Sequence, residues 1–179
     1  MAKSDYGFLF EKAGRSRAYG ATSSDEEHFK GTSIAESLVR ELGQNSLDAV
    51  DPDGDGVVRL EFELAEVETS TLPDVENLRQ HIIAADESTR SIVKSLMVLR
   101  VGDYGTRGLT GSERRDGKGP SPLAALTRGA GISADKDGGG GSFGVGSSVG
   151  TLASDVHTVF WTSLPKGVSE VVFAGYSQL

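Results

Sequence analysis

Two groups of residues in this chain have types and spacing suited to chemistry. The first is Glu41, Asn45 and Asp48, within T-S-I-A-E-S-L-V-R-E-L-G-Q-N-S-L-D-A-V (Thr32–Val50). On a helix advancing about 100° per residue, the three fall within roughly 60° of one another. A carboxylate able to accept a proton then stands one turn from an amide, at the mouth of a pocket. The second group lies in Gly139–Ser148, where glycines run into an apolar-periodic helix start. Unpaired amides and the helix dipole at such an N-terminus both favour an anion, so this is a phosphate-binding candidate. Each has a plainer alternative: surface polars on an amphipathic helix in one case, a flexible glycine linker in the other.

The elements that must position these residues can be read in order. Ser33 followed by Glu36 is a capping box, which opens the first helix. Ile34, Leu38, Leu42 and Ala49 recur at helical spacing, and Asn45 falls between Ile34 and Leu38, on the edge expected to face the core. The run D-P-D-G-D-G (Asp51–Gly56) begins like a calcium loop. Its twelfth position is Phe62, however, with Glu61 one residue early, so a tight turn is the better reading. Val57–Leu64 alternates as a half-buried strand, with Val58, Leu60, Phe62 and Leu64 on one face. Residues 74–95 carry helical spacing, interrupted near Ala85–Ser88. Leu96–Val101, L-M-V-L-R-V, reads as a central strand.

Thr110–Gly141 is loop-like apart from a short helix near Leu123–Leu126, and so long a loop in a compact domain is usually functional. Val145–Ala153 is expected to be helical, and Thr158–Ser163 is expected to pair with Val168–Tyr176. The order predicts an α/β (α+β) two-layer sandwich, with helices on one face of a mixed, mostly antiparallel sheet. Residues 1–31, with Tyr6, Phe8, Leu9 and Phe10, form an N-terminal arm, and 32–179 form the domain.

The totals narrow the classes of function. A chain of 179 residues suits one domain with a real core. With no cysteine, disulfides and thiolate metal sites are excluded. No apolar run reaches the ~18 residues of a membrane span, and no signal-peptide pattern opens the chain; a soluble cytoplasmic protein is expected. A net charge of −8 argues against a broad nucleic-acid face while leaving room for a local anion pocket. Gly139–Gly144 fits G-x-G-x-x-G but lacks the strand a dinucleotide fold needs before it. Gly141–Ser148 approaches a Walker A motif, with Ser147 in place of its lysine.

Three segments, taken in order, resemble the GHKL superfamily of ATPases, which includes type II DNA topoisomerases, a heat-shock chaperone, mismatch-repair ATPases, MORC proteins and histidine kinases. E-L-G-Q-N-S-L-D-A (Glu41–Ala49) resembles the superfamily's N-box, closely so in its mismatch-repair version. D-Y-G-T-R-G-L (Asp103–Leu109) is similar to the D-x-G-x-G adenine motif. G-S-F-G-V-G-S-S (Gly141–Ser148) is similar to the chaperone's lid-end glycine motif. The resemblance implies the Bergerat ATP-binding fold, with ATP and Mg²⁺ as ligands and a lid over about residues 105–146.

By the same resemblance, Glu41 matches the general base that activates water, and Asn45 the Mg²⁺ ligand. Asp48 matches an acid near the adenine pocket. Asp103 matches the carboxylate that accepts from the adenine amino group, and Gly105 and Gly108 match glycines that let the base lie close to backbone. Gly141, Ser142, Phe143, Gly144, Val145 and Gly146 match the lid end that meets the phosphates. The chain departs from the pattern in two places. Thr106 and Arg107 stand between Gly105 and Gly108, where the family has one residue. The family's downstream threonine strand falls beyond Leu179, which suggests an N-terminal piece of a larger protein. Arg107 and Lys118 are the basic candidates for a γ-phosphate contact.

The expected function is therefore slow, magnesium-dependent ATP hydrolysis driving a conformational switch. The spelling of the adenine motif also resembles large bacterial GHKL proteins, some of them defence-related. Assembly as a homodimer or larger complex through the arm and lid is expected. The alternatives are a scaffold that holds nucleotide without cleaving it and a histidine-kinase catalytic domain, against which Glu41 counts.

Overall fold

The computed structural model describes residues 7–8, 31, 33–85, 94–111, 121–123 and 149–177. The expected lid-end residues Gly141, Ser142, Phe143, Gly144, Val145 and Gly146, most of the arm, and Lys118 lie outside the described residues. Within them the chain is α/β: helices α1 (Ile34–Asp48), α2 (Val75–Ala85) and α3 (Val149–Leu152), and strands β1 (Arg59–Glu68), β2 (Ser95–Tyr104), β3 (Thr158–Ser163) and β4 (Val172–Ser177). The strands form two two-stranded sheets, β1 with β2 and β3 with β4. No helix is long and apolar enough to cross a membrane among the described residues.

The chain divides into two compact units, through both of which β1 and β2 pass. One comprises Ala21–Glu61 and Gly102–Gln178. Its helix α1 begins where the capping pattern puts it: Ser33 Oγ accepts from the Glu36 N–H at 3.1 Å. α1 packs on α3, and α3 packs on β3. The approach of α3 to the strand is close enough that a Cβ at Gly150 would lie 3.1 Å from Val159 Cγ2, so glycine there sets the spacing. Val149, Thr151 and Ala174 are buried in this unit. β3 and β4 pair antiparallel in the register Thr158↔Ser177 through Ser163↔Val172, with Phe160 stacked on Phe173 at 5.8 Å. The expected pairing of these segments is thus present, with the second strand starting four residues later than the apolar pattern predicts.

The other unit centres on Phe62–Val101, with residues 1–20. Here α2 buries Leu78 and Ile82, and packs on a 3-10 turn at Thr69–Thr71. The Phe8 N–H donates to Asp74 Oδ2 at 2.8 Å and Asn77 Nδ2 donates to the Phe8 carbonyl at 2.9 Å, so this point of the arm is held at the start of α2. The Thr69 N–H donates to the Lys94 carbonyl, and Glu63 pairs with Arg100. β1 and β2 therefore run antiparallel.

The alternation of Val57–Leu64 predicts a half-buried strand, and the compact apolar run Leu96–Val101 a central one. Instead Phe62, Leu64, Met97 and Leu99 are exposed, Leu64 at 69% and Met97 at 66%. The reason is that each strand has a single sheet partner among the described residues. Alternation says which side chains share a face, but not that another layer covers it.

Candidate functional site

The site is assembled at the C-terminal end of α1, within one unit. α1 carries Glu41, Asn45 and Asp48, and no basic residue stands in its last turn. A helix end leaves carbonyls unpaired and carries partial negative charge. Here the segment after β2 supplies what is missing. The Arg107 N–H donates to the Ala49 carbonyl at 2.8 Å and Arg107 Nη2 donates to the Asp48 carbonyl at 2.9 Å. Thr106 forms a β-bridge with Val50, and the Asp51 N–H donates to the Gly105 carbonyl at 3.0 Å. Three consecutive loop residues are thereby laid against the three that follow the helix.

This arrangement demands glycine at two of the expected positions. Gly105 has φ +81°, and a Cβ there would collide with the Val57 carbonyl. Gly108 has φ +74°, with Ser163 Oγ 2.9 Å from where its Cβ would stand. That same Oγ accepts the Leu109 N–H at 2.9 Å, which fastens the far side of the loop to the end of β3. Gly105→Ala is accordingly expected to destabilise the fold by roughly 2 kcal/mol or more, from left-handed backbone strain plus the clash. Gly167→Ala, at φ +76° with nothing within 4 Å, bears the strain alone and should cost about 1–2 kcal/mol. Denaturant unfolding of the two variants side by side separates the contributions.

The candidate polar side chains lie as follows. Glu41 is half-buried, and its Oε1 accepts from Arg40 Nη2 at 3.1 Å and Arg40 Nε at 3.3 Å. Its Oε2 has no partner among the described residues. Asn45 is exposed, in contrast to the core-facing edge that the helical wheel predicts, and its side-chain amide is unpartnered among those residues. The wheel is right about angle, but this arc of α1 meets solvent. Asp48 is exposed and accepts from Gln44 Nε2 at 2.9 Å. Asp103, near the end of β2, is exposed and accepts from Ser46 Oγ at 3.4 Å, a long contact.

α1 and the Asp103 loop are thus joined through Ser46 and the Arg107 contacts. Both residues were missed in these roles by sequence reasoning. Ser46, 6% exposed, continues the i+4 series of Ile34, Leu38 and Leu42 as a polar residue, and that was the signal that could have found it. Arg107 had one legible signal: α1 ends without a cation of its own. Its guanidinium lies on the Asp48 carbonyl.

The acidic turn Asp51–Gly56 folds as the tight turn expected. Asp51 Oδ1 accepts the Asp53 N–H, and Lys166 Nζ lies 2.9 Å from Asp51 Oδ2 and 3.4 Å from Asp53 Oδ2. The Lys166 hydrogen bond holds the Asp51 carboxyl below its usual value, and Asp51 in turn raises Lys166. A depressed acid contributes fully above its unfolded value of about 3.9 and loses that contribution as pH falls through the folded one. A raised lysine contributes fully below about 10.4 and loses it as pH rises further. The clip is therefore complete across the whole neutral range.

No group of three or more carboxylate, histidine or cysteine ligands able to hold a metal exists among the described residues. The Asn45 side chain offers a single neutral amide oxygen, which by itself does not make a Mg²⁺ site. Comparison with family models, with curated proteins and with solved structures gives no match for this chain.

Proposed function

We propose that this chain is an ATP-binding module of GHKL type that hydrolyses ATP slowly with Mg²⁺. The observation that supports it most is the fastening of the Asp103–Gly108 loop to the helix bearing Glu41 and Asn45. It brings against one another two motifs of the resemblance whose contacting residues stand 57 and 59 positions apart in the chain. In this reading the Asp103 carboxylate takes the purine amino group, with Asp48 near the same base. Gly105 and Gly108 keep the loop backbone low enough for the base to lie against it. Asn45 would hold Mg²⁺, which when bound neutralises phosphate charge. Glu41 would take a proton from the attacking water through its unpartnered Oε2. Lid closure by the segment ending at Gly141–Gly146, and assembly through the arm and lid as a homodimer or within a larger protein, belong to the same proposal. Such a module draws on the cytoplasmic nucleotide pool, and a conformational switch is what slow turnover serves best.

One observation favours a second reading, a scaffold that holds nucleotide without cleaving it: Arg40 already occupies one oxygen of Glu41. Isothermal calorimetry with ATP, with and without Mg²⁺, tests the common premise. Saturable binding that strengthens with Mg²⁺ is expected. Absence of ATP binding in both conditions rejects both readings.

A further inference from the structure

Arg107 is one of the two residues between Gly105 and Gly108, and it sits where the loop meets the helix. We infer that it is the positioning residue of the nucleotide site, setting the Asp103 carboxylate at a fixed distance from the helix that carries Glu41 and Asn45. This rests on the nucleotide reading above.

The argument starts from α1. Its last carbonyls need donors, its own last turn offers no cation, and Val50 rather than glycine follows the C-cap residue Ala49. Arg107 meets the need twice, with its backbone N–H on the Ala49 carbonyl at 2.8 Å and its guanidinium on the Asp48 carbonyl at 2.9 Å. A positive charge at this end of a helix is also favoured by the dipole. Asp103 lies only four residues upstream. Between them Gly105 is held in the left-handed region against the Val57 carbonyl, and Thr106 is bridged to Val50. A shift at Arg107 therefore has little slack in which to dissipate before it reaches Asp103. The side chain acts on the helix end, so its effect on a nucleotide passes through Asp103.

A phosphate contact by Arg107 makes a different prediction, and the phosphate number distinguishes the two. A positioning residue affects every ligand that uses the purine pocket equally. With adenosine, ADP and ATP as probes and calorimetry as the measurement, Arg107→Ala is expected to weaken all three by about the same factor, about tenfold. Arg107→Lys, which restores a cation and one donor, is expected to recover most of the loss. Without any ligand, hydrogen exchange at the Asp51 amide, bonded to the Gly105 carbonyl, should quicken in Arg107→Ala. If alanine does not fold, as judged by circular dichroism, Arg107→Gln takes its place in each measurement.

A loss that grows from adenosine to ADP to ATP overturns the inference in favour of a phosphate contact. So does unaltered affinity together with unaltered Asp51 exchange, while the native chain binds normally. A native chain that binds none of the three probes instead removes the nucleotide reading itself, and the positioning role with it.

Discussion

Glu41→Ala is expected to leave ATP binding intact and to lower its hydrolysis by ~10²–10⁴-fold, the range typical of a positioned carboxylate base. The structural setting makes this a clean measurement. Glu41 lies in the third turn of α1, its side-chain partner among the described residues is its neighbour Arg40, and Arg40 is 59% exposed. An ion pair with one partner in solvent contributes about 0–1 kcal/mol, and alanine is the best helix former, so the variant should fold and melt close to the parent. A rate loss then reports chemistry and not unfolding. Single-turnover hydrolysis alongside calorimetric affinity separates the two quantities. If Glu41→Ala turns over at the parent rate, Glu41 is not the base. If the parent itself binds ATP·Mg²⁺ without measurable turnover, the scaffold reading replaces the ATPase.

The second large effect concerns Asp103. Asp103→Asn is expected to weaken adenine-nucleotide binding by ~10–100-fold, because a hydrogen bond to a charged acceptor contributes about 1.5–3 kcal/mol. An amide presents one acceptor oxygen and two N–H donors, and the donors face the purine amino group unfavourably in half of the possible orientations. The fold should be unaffected: Asp103 is exposed, and Ser46 Oγ can donate to the asparagine oxygen as it does to the carboxylate. Competition between ATP and a fluorescent adenine analogue, with thermal melting of both proteins, gives the affinity ratio and the control. Equal affinity in the two proteins would falsify the assignment of Asp103 to the purine.

The two substitutions also probe opposite ends of one construction. Glu41 is placed by a helix whose start is capped locally, by Ser33. Asp103 is placed by a loop anchored to the end of that helix from far along the chain. The first kind of placement survives almost any change elsewhere. The second depends on Gly105, Thr106 and Arg107 together, which is why the glycine variant is expected to cost stability and the arginine variant affinity.

Much of the local structure was legible because local structure rests on short-range causes. Ser33 and Glu36 mark where α1 begins, since a first turn with unpaired N–H groups needs a nearby acceptor. The apolar runs before and after P-K-G mark two strands, since a short polar turn between them makes antiparallel pairing the easiest outcome. The acidic turn at Asp51 could be told from a calcium loop because the twelfth position is Phe62. Less legible was what each face meets. Asn45 was placed by the wheel on a core-facing edge, and Leu96–Val101 by composition in the middle of a sheet. Both inferences needed to know which other element lies opposite, and periodicity carries no such information.

By itself, then, the sequence determined the elements, their order, the α/β class and the spacing of Glu41, Asn45 and Asp48, because these follow from interactions within a few residues. Only the tertiary structure decided that the segment after β2 closes the end of α1, that Ser46 reaches Asp103, and that Arg107 serves a carbonyl. Those contacts join residues more than 50 positions apart. They exist because a helix terminus lacking its own donors accepts whichever one the folded chain delivers, and delivery is a property of the whole path between them.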